Sequence, residues 1–356
     1  MKVGVIGAGV AGLFSAYFLA KNGAEVTVFE KRYPLYGASG RNSGGITPML
    51  GRKELVKLAK RSIEIYDRTQ SEVRFNFLFR KDGYLKVAKT DEDMDKLEKE
   101  ARMQKELGVK LREIDEYELK SLVDGFNTKS VVGAFYGEGG VIFPWPVIWG
   151  LERGCKSLGV EIIPQKEVSV EVSNSRISVK AGNGEEYKFD FVLNCSGAWS
   201  ASVNRSLGLR CNRIVKEEIC VLESLKPFID PYIMNVSDGV YLSQSARGEV
   251  VGGIIGSEVD SPKTSSSLSF LTKYAKLAVE MIPKLKGLSV LRQWAGVYDS
   301  SGDGLPVVGE DKVEGIIQLN GLGRQGMCIA PALGEIVADI ILKGKEYEKF
   351  SPKRFA

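Results

Sequence analysis

The chain has 356 residues, of which 44% are apolar and 26% are charged, a balance typical of a globular protein with one large domain or two. Its 49 lysines and arginines and 45 aspartates and glutamates give a net charge of +4, and their interspersed placement argues against nucleic-acid binding and against a polybasic membrane patch. Histidine is absent, which excludes a Ser-His-Asp triad, histidine-ligated metals, a histidine general base and a histidyl-linked cofactor.

The cysteines indicate a reducing compartment. They are odd in number and none forms a Cys-x-x-Cys pair, so we expect neither a disulfide framework nor a zinc or other metal site. The chain opens on an apolar strand pattern without a charged leader, and its longest apolar stretch, near residues 10–20, is too short to span a bilayer. We therefore predict a cytoplasmic protein. The cysteines are Cys155, Cys195, Cys211, Cys220 and Cys328.

Residues 3–30 have the pattern of a strand, a tight turn, a helix and a second strand. The apolar runs VGVI at 3–6 and VTVF at 26–29 are typical of buried strands, and the helical pattern between them stops at Gly23. The turn carries GAGVAG at 7–12, a Gly-x-Gly-x-x-Gly motif. Such a unit implies a parallel sheet covered by helices, and in this context the motif predicts a dinucleotide site.

The residues of this predicted site have separate physical roles. Gly7 allows the tight turn, Gly9 lets the backbone approach a pyrophosphate, and Gly12 lets helix and strand pack closely, with the phosphates at the helix N-terminus. Glu30 follows the second strand and can accept hydrogen bonds from both ribose hydroxyls, which argues against a 2′-phosphate. The motif alone does not distinguish FAD from NAD.

The pattern beyond residue 50 predicts further helices and strands. Thr90 and Asp115 are placed as helix N-caps, and Asn183-Gly184 is the strongest hairpin-turn signal in the chain. The predicted elements are a helix at 52–71, a strand at 83–87, a helix at 91–107, a short helix from Asp115, a helix at 146–158, a meander of strands over 160–195, strands over 213–256, a helix at 268–282, strands near 288–298 and 315–320, and a final helix from Pro331 to Leu342.

Glycine-rich turns follow several of these strands, at the edge where a doubly wound sheet binds its ligands. GASGRNSGGI at 37–46 has four glycines and small polar residues, so it can lie flat against a bulky planar ligand. GLGRQG at 321–326 repeats the glycine motif, but too little chain follows for a second dinucleotide unit. We interpret it as a loop that closes over the first ligand, with the helix from Pro331 directing its N-terminal dipole at developing negative charge.

Eight segments in chain order resemble the D-amino-acid oxidase family of FAD enzymes: VGVIGAGVAG, FEK, GASGRNSGGI, EGGVIFP, VLNCSGAWS, GVYLSQSARGEVVGG, RQWAGVYDSSGDGLPVVG and GLGRQGMCIAPALGEIVADIIL. The family holds glycine and sarcosine oxidases and dye-linked proline and D-amino-acid dehydrogenases, and the resemblance covers essentially the whole chain. We therefore predict an α/β fold in which a Rossmann-like FAD-binding domain is interleaved with an α+β substrate domain built on a mostly antiparallel sheet. The predicted boundaries are 1–75, 138–208 and 290–356 for the FAD-binding domain, and 76–137 and 209–289 for the substrate domain.

The resemblance implies which residues bind FAD. It assigns the pyrophosphate to 9–12, the adenosine to Glu30 and Lys31, the isoalloxazine to 41–45 and the flavin pyrimidine ring to 323–327. The expected FAD-binding residues are Gly7, Gly9, Val10, Ala11, Gly12, Glu30, Lys31, Ser39, Arg41, Asn42, Ser43, Gly44, Gly45, Val168, Ser196, Gly197, Gly323, Gln325, Gly326 and Met327. Members with covalent flavin use a cysteine or a histidine, whereas here Gly296 stands near the cysteine position, so non-covalent FAD is expected.

The resemblance also implies the reaction. Arg324 stands where glycine-oxidase-like members bind the substrate carboxylate, and Tyr241 where they place a tyrosine above the flavin. Tyr298 replaces an arginine of those members, which favours a dehydrogenase over an oxidase. We therefore predict oxidation of an amino acid or secondary amino acid to the imine, with hydride passing from the α-carbon to flavin N5 and the two tyrosines shaping the pocket. A quinone, a dye or a partner subunit would accept the electrons.

Two other functions stay open. One is a flavin-dependent 2-hydroxy-acid dehydrogenase, because GRNSGGI also occurs in that branch, although such enzymes need a base for the hydroxyl proton and histidine is absent. The other is an FAD-binding electron-transfer subunit of a larger complex, with exposed cysteines and partner-facing helices serving assembly. Association with a membrane surface or with further copies or chains, and the side chain and stereochemistry of the substrate, are also open.

Overall fold

The computed structural model describes residues 1–173 and 176–355. Within this part of the chain the helices are α1 (Val10–Lys21), α2 (Lys53–Glu72), α3 (Asp91–Glu106), α4 (Glu116–Leu122), α5 (Pro144–Ser157), α6 (Ser200–Ser206), α7 (Leu268–Met281) and α8 (Gly326–Lys343). The strands are β1 (Lys2–Ile6), β2 (Glu25–Phe29), β3 (Gly45–Ile46), β4 (Tyr84–Ala88), β5 (Leu111–Ile114), β6 (Gly133–Gly137), β7 (Gly140–Val141), β8 (Glu161–Ile163), β9 (Val168–Ser173), β10 (Arg176–Ala181), β11 (Glu186–Phe189), β12 (Phe191–Asn194), β13 (Arg213–Ser224), β14 (Tyr232–Asn235), β15 (Val240–Gln244), β16 (Glu249–Val259), β17 (Val290–Ser300), β18 (Val307–Glu310) and β19 (Ile316–Asn320).

A six-stranded sheet carries the predicted nucleotide-binding unit. Its order is β18-β19-β12-β1-β2-β8, and all neighbours are parallel except the edge pair of β18 and β19. Val3 and Val5 of β1 belong to the core that includes α1 and α8, whereas Ile6 packs in a second core with Val170 and Val179 of the three-stranded sheet β9-β10-β11. Burial on both faces explains the continuous apolar runs in these parallel strands.

A second large sheet has eight strands in the order β17-β13-β16-β15-β14-β4-β6-β5. Every neighbouring pair is antiparallel except β14 and β4. Leu119 of α4 and Phe270 of α7 share a core with Leu85, Ile233 and Leu242 of this sheet. The predicted fold class is therefore confirmed: a Rossmann-like parallel sheet is combined with a mostly antiparallel one.

One strand changes the predicted division of the chain. Residues 290–300, grouped above with the FAD-binding segments, form β17, which pairs with β13 at the edge of the eight-stranded sheet. The partner strand, β13, begins at Arg213, far from β17 in the chain. The residue pattern of 290–300 alone therefore does not indicate this pairing. This strand belongs to the larger sheet, while the other domain boundaries stay a prediction.

Two helix starts follow their predicted caps. Thr90 Oγ1 accepts a hydrogen bond from the Asp93 amide at 3.2 Å, and Asp115 Oδ1 accepts one from the Glu118 amide at 2.8 Å. The predicted meander over 160–195 is only partly correct. Strands β8 and β12 join the parallel sheet, and β9, β10 and β11 alone are antiparallel, with Gly184 at φ +88° in the expected hairpin turn.

The last helix begins earlier than predicted. α8 starts at Gly326, and Pro331 lies inside it, so a helix N-terminus at Pro331 is wrong. Proline lacks the amide that would bond the Met327 carbonyl, and the Tyr66 hydroxyl donates to that carbonyl instead at 2.7 Å. The amide of Ala332 likewise donates to a side chain of α2, Ser62 Oγ, at 3.2 Å. These tertiary bonds allow the helix to continue through the proline.

The segment that contains α8 is a longer apolar stretch than residues 10–20, which were named above as the longest. By length and composition alone, Gly323–Lys343 could cross a membrane, although most of it is buried inside the protein. The helix packs against α1 and α2 in the main core, where a helix that is apolar all round is expected. Core packing therefore explains its composition.

Candidate active site

A cavity of about 340 Å³ opens at the carboxyl ends of β1, β2, β12 and β19. Of the predicted FAD-binding residues, its lining includes Gly7, Gly9, Val10, Ala11, Glu30, Lys31, Ser39, Val168, Ser196, Gly197, Gly323 and Gly326. The remaining ones lie outside that lining: Gly12, Arg41, Asn42, Ser43, Gly44, Gly45, Gln325 and Met327. Of the three predicted substrate-pocket residues, Tyr298 lines the cavity. The fold thus gathers most of the predicted set at the edge where α/β sheets bind ligands.

The glycine turn before α1 is shaped by close backbone contacts. Gly7 has φ +106°, and a Cβ there would lie 2.6 Å from the Cys195 carbonyl oxygen. A Cβ on Gly12 would lie 2.0 Å from the Gly7 carbonyl oxygen, so this third glycine serves the packing of helix on turn rather than the cavity wall. Gly9, the N-cap residue of α1, has no side chain to cap the helix, and Ser39 Oγ accepts from the Val10 amide at 3.0 Å instead. This N-terminus lies on the cavity wall and is a suitable site for a phosphate.

Glu30 lies on the cavity wall and also orders the turn. Its Oε2 accepts a hydrogen bond from the Ala8 amide and its Oε1 one from the Arg32 amide, both at 2.9 Å. Burial raises the pKa of Glu30, and the two amides act in the opposite direction. Each carboxylate oxygen can accept a second hydrogen bond, so the ribose contact expected above is compatible with these bonds. Its neighbour Lys31 is paired with Glu167 at 2.6 Å.

Side chains hold the loop at 37–45 from within. Asn42 Nδ2 donates to the carbonyls of Ala38 and Ser39, and its Oδ1 accepts from the Gly44 amide at 2.8 Å. Arg41 Nε donates to the Tyr36 carbonyl at 2.8 Å, and the guanidinium lies 5.2 Å from the centre of the Tyr36 ring. These two side chains stabilise the loop, which leaves its backbone as the surface that could lie along a flat ligand.

A buried amide network supports the same edge of the sheet, and the sequence pattern did not reveal it. Asn194 Nδ2 donates to Asn204 Oδ1 at 2.8 Å, and Gln318 Nε2 donates to the same oxygen at 3.1 Å. Asp299 accepts from the Gly321 amide at 2.6 Å, and burial raises the pKa of this carboxyl. The network fixes the ends of β12 and β19, from which two of the glycine loops start. The one sequence feature that could have indicated this network is the presence of polar residues at the ends of apolar strands.

Arg324 and three tyrosines (Tyr84, Tyr232 and Tyr241) form a stack next to the loop at 37–45. The Arg324 guanidinium carbon lies 5.2 Å from the centre of the Tyr241 ring, which stacks on Tyr232 at 6.1 Å and an interplanar angle of 12°. Tyr232 in turn stacks on Tyr84 at 4.8 Å. Tyr232 also lies within 2.8 Å of the Ser43 hydroxyl, so the cluster is tied to the loop predicted to contact the flavin.

Glu217 lies on the other side of Arg324 and was not predicted from the sequence. The Tyr298 hydroxyl donates to Glu217 Oε2 at 3.2 Å, and Arg324 Nη2 lies 3.6 Å from Oε1. Within the described residues, Arg324 Nε and the Tyr241 hydroxyl are buried without a hydrogen-bond partner. We call these four residues, Glu217, Tyr241, Tyr298 and Arg324, the arginine–glutamate cluster. Buried polar atoms left unpaired in such a cluster indicate room for a polar ligand.

Three members of this cluster, Tyr241, Tyr298 and Arg324, keep one protonation state near neutral pH. Burial raises the pKa of Tyr241 and of Tyr298, and the nearby Glu217 carboxylate acts in the same direction. Burial acts against the charge of Arg324, but Glu217 and the surrounding tyrosines raise its pKa above the usual value. Both phenols therefore stay neutral and the guanidinium stays cationic. Tyr241 is buried and Tyr298 half-buried, as in ordinary core packing, but the Tyr241 hydroxyl has no hydrogen-bond partner among the described residues.

Comparison with known proteins agrees with this geometry. Residues 2–340 match the DAO family, described as FAD dependent oxidoreductase, and the chain belongs to this family. It is 28% identical to sarcosine oxidase subunit beta from Rhodobacter capsulatus, over 96% of this chain and 84% of that protein. It is 25% identical to glycine oxidase from Bacillus licheniformis, over 95% of this chain and 92% of that one.

Solved structures give the same result. The crystal structure of L-proline dehydrogenase from P. horikoshii matches with a TM-score of 0.92 and 29% identity, covering 99% of this chain and 97% of that chain. Glycine oxidase from Geobacillus kaustophilus has the same fold, with a TM-score of 0.90 at 22% identity and coverage of 99% and 98%. The resemblance read from the motifs is confirmed: the chain is an FAD-dependent oxidoreductase of the amino-acid-oxidising family.

The residues present fit FAD. Gly9 and Ala11 line the cavity at the N-terminus of α1, where Ser39 Oγ accepts from the Val10 amide at 3.0 Å, and Glu30 and Val168 stand in the same cavity. The suggestion of exposed cysteines serving assembly is wrong, because Cys155, Cys195, Cys220 and Cys328 are buried and Cys211 is half-buried. Each of the four buried cysteines fills space in the packed interior as a small apolar group.

Acid precipitation of the purified protein is expected to release its FAD into the supernatant. No histidine is present, Gly296 stands near the position of a linking cysteine, and four of the five cysteines are buried. The measurement is the flavin absorbance of supernatant and pellet. Flavin that remains with the denatured protein would identify a covalent link to one of the cysteines.

Proposed function

We propose that the chain oxidises an amino acid or a secondary amino acid to the imine, with bound FAD supplying at its N5 the acceptor for hydride from the α-carbon. The observation that carries this proposal is the guanidinium of Arg324, which is about three-quarters buried and whose Nε has no hydrogen-bond partner among the described residues, in a glycine loop that also lines the FAD cavity. A buried arginine with a free donor is suited to a carboxylate, because its planar fork can donate two parallel hydrogen bonds. An amine beside that carboxylate would carry the reacting carbon.

The chain's own groups would orient the substrate and exclude water. Arg324 would fix the carboxylate, while Tyr241, which is buried, and Tyr298, which is half-buried, would form apolar walls with neutral hydroxyls. Fixing the substrate in one pose reduces the entropic part of the barrier. Oxidation then requires the neutral amine, whose lone pair forms the C=N bond as the α C–H bond breaks and its electron pair leaves with the hydrogen.

A dehydrogenase is favoured over an oxidase. Tyr298 stands in place of the arginine expected in glycine-oxidase-like members, and the 29% identity to a structure named L-proline dehydrogenase supports the same choice. The electron acceptor would then be a quinone, a dye or a partner protein rather than oxygen. The likeness to a protein named as a sarcosine oxidase subunit supports a second candidate, in which this chain works within a complex of several chains.

Turnover by the purified chain alone tests these proposals. The holoprotein should reduce an artificial dye with at least one member of a panel of D- and L-amino acids, N-methyl amino acids and proline. A 2-hydroxy acid that supports faster turnover than every amino acid would favour the hydroxy-acid alternative. Flavin that is reduced only when other chains are added would favour an electron-transfer subunit.

The rate of flavin reduction is expected to rise with pH across neutrality. The pKa values of Tyr241 and Tyr298 are raised, so these phenols remain protonated near pH 7 and do not contribute to the pH dependence of the rate there. The raised pKa of Arg324 keeps it cationic over the same range. The controlling proton is then that of the substrate ammonium. The check is a series of substrates with different amine pKa values; an apparent pKa that stays fixed would mean that an enzyme group, rather than the substrate amine, controls the rise.

A further inference from the structure

Glu217 is positioned by an irregularity in the eight-stranded sheet. Between Lys216 and Glu218 the pairing of β13 with β16 shifts register, so that Ile255 and Gly256 oppose the single residue Glu217. Such β-bulges commonly redirect groups beside active sites. Here the Gly256 amide donates to Glu217 Oε2 at 3.3 Å. A Cβ on Gly256 would lie 2.1 Å from the Lys216 carbonyl oxygen, so the bulge requires glycine at this position.

The bonds of Glu217 satisfy only one of its two carboxylate oxygens well. Oε2 accepts from Gly256 and from the Tyr298 hydroxyl, whereas the Arg324 nitrogen nearest to Oε1 is 3.6 Å away, beyond ordinary hydrogen-bond length. The Glu217 side chain is only 11% exposed. Among the described residues, Glu217 Oε1 accepts no hydrogen bond, and a buried carboxylate is stable only when its oxygens are bonded. A ligand that donates to Oε1 would therefore be favoured.

The charges of the arginine–glutamate cluster balance: one guanidinium faces one carboxylate, and the two tyrosines are neutral. A zwitterion would keep this balance, with its carboxylate on Arg324 and its ammonium on Glu217. A 2-hydroxy acid would bring a second carboxylate against one cation, which is unfavourable in a site removed from water. The cluster therefore has the charge pattern of an amino-acid site.

We propose that Glu217 binds the substrate amine in its cationic form, before the amine loses to solvent the proton whose removal oxidation requires, while Arg324 binds the carboxylate, so that the pair selects zwitterionic amino acids over 2-hydroxy acids. This inference rests on the proposed function and names the residue that defines its substrate class. Glu217 is thus a specificity-determining residue as well as the counter-ion of Arg324.

Glu217→Gln tests the inference on the FAD-loaded protein. Dissociation constants are measured anaerobically, from the dependence of flavin reduction on amino-acid concentration and from the change in flavin absorbance caused by a carboxylate without an amine, such as acetate. We expect the amino-acid constant to rise by about 10- to 150-fold, the range of one charged hydrogen bond, while acetate binds as well as before or better. Glu218→Gln is the matched control, because Glu218 pairs with Lys216 and Ser267 instead. It should change neither constant.

Four outcomes would overturn the inference or its basis. Equal weakening of amino acid and acetate in Glu217→Gln would mean that Glu217 only holds Arg324 in place. An unchanged amino-acid constant would exclude any contact with the amine. Wild-type flavin that no amino acid reduces would instead contradict the proposed function itself. If Glu217→Gln does not retain FAD, the wild-type protein decides: glycine, proline or another zwitterion must bind at least about tenfold tighter than its amine-free analogue, and equal binding would contradict the inference.

Discussion

Gly12→Ala is expected to lower the affinity for FAD by about 5- to 150-fold, corresponding to about 1–3 kcal/mol of overpacking. The added methyl group would lie 2.0 Å from the Gly7 carbonyl oxygen, a backbone atom that cannot rotate away. Relief of this clash requires α1 to move away from the turn that would bear the pyrophosphate. Because the motion separates the helix N-terminus from the turn, FAD binding should suffer more than the rest of the fold.

The measurement is a titration of the apoprotein with FAD, followed by flavin fluorescence, together with thermal unfolding in the presence and absence of FAD. Gly182→Ala is the matched control, because a Cβ at Gly182 meets nothing within 4 Å. The control should bind FAD as the wild type does. Wild-type affinity in Gly12→Ala would contradict the assignment of this turn to the FAD site.

Arg324→Met is expected to reduce kcat/KM for amino acids by about 10- to 150-fold, the equivalent of a desolvated charged hydrogen bond worth roughly 1.5–3 kcal/mol. The side chain is about three-quarters buried, with 25% exposed, and it lies on Tyr241 rather than in solvent. Methionine preserves much of the packing and removes the guanidinium with its two parallel N–H donors. FAD affinity should change little, because Gly323 and Gly326 line the cavity on either side of Arg324 and its own side chain does not.

Two further variants sharpen this result. Arg324→Lys keeps the charge and loses the two parallel donors, so it should recover only part of the activity. Arg247→Met is the control, because the Arg247 side chain is 81% exposed and paired with Glu249, and its loss should leave kcat/KM unchanged. Near-normal reduction of the flavin by amino acids in Arg324→Met would place the carboxylate site elsewhere.

The local parts of the fold could be predicted from the sequence. The nucleotide-binding turn can be predicted because its glycines have a fixed spacing between a strand and a helix. The close contact of Gly12 is with Gly7 in the same turn, whereas that of Gly7 is with the distant residue Cys195. Thr90 and Asp115 were recognised as caps because a cap bonds an amide only three residues away. Arg41 and Asn42 were assigned to the predicted flavin loop by resemblance, but their bonds to the loop backbone depend on its folded shape.

Features set by distant parts of the chain could not be predicted. The sequence suggested a helix starting at Pro331, yet Tyr66 from α2 satisfies the carbonyl that the proline leaves free. The pairing of β17 with β13 has the same non-local origin. Glu217 was missed because its neighbour Glu218 is also acidic, and only the bulge distinguishes their surroundings. Gly256, an isolated glycine in a strand, was the one local signal of that bulge.

Anaerobic mixing of the FAD-loaded protein with an amino acid tests the central claim most directly. Loss of oxidised-flavin absorbance is followed with the ordinary substrate and with the same amino acid deuterated at the α-carbon. We predict that the amino acid reduces the flavin without any other protein, and that deuteration slows the reduction because the α C–H bond breaks in that step. Flavin that dithionite reduces but no amino acid does, across D, L, N-methyl and cyclic forms, would contradict the claim.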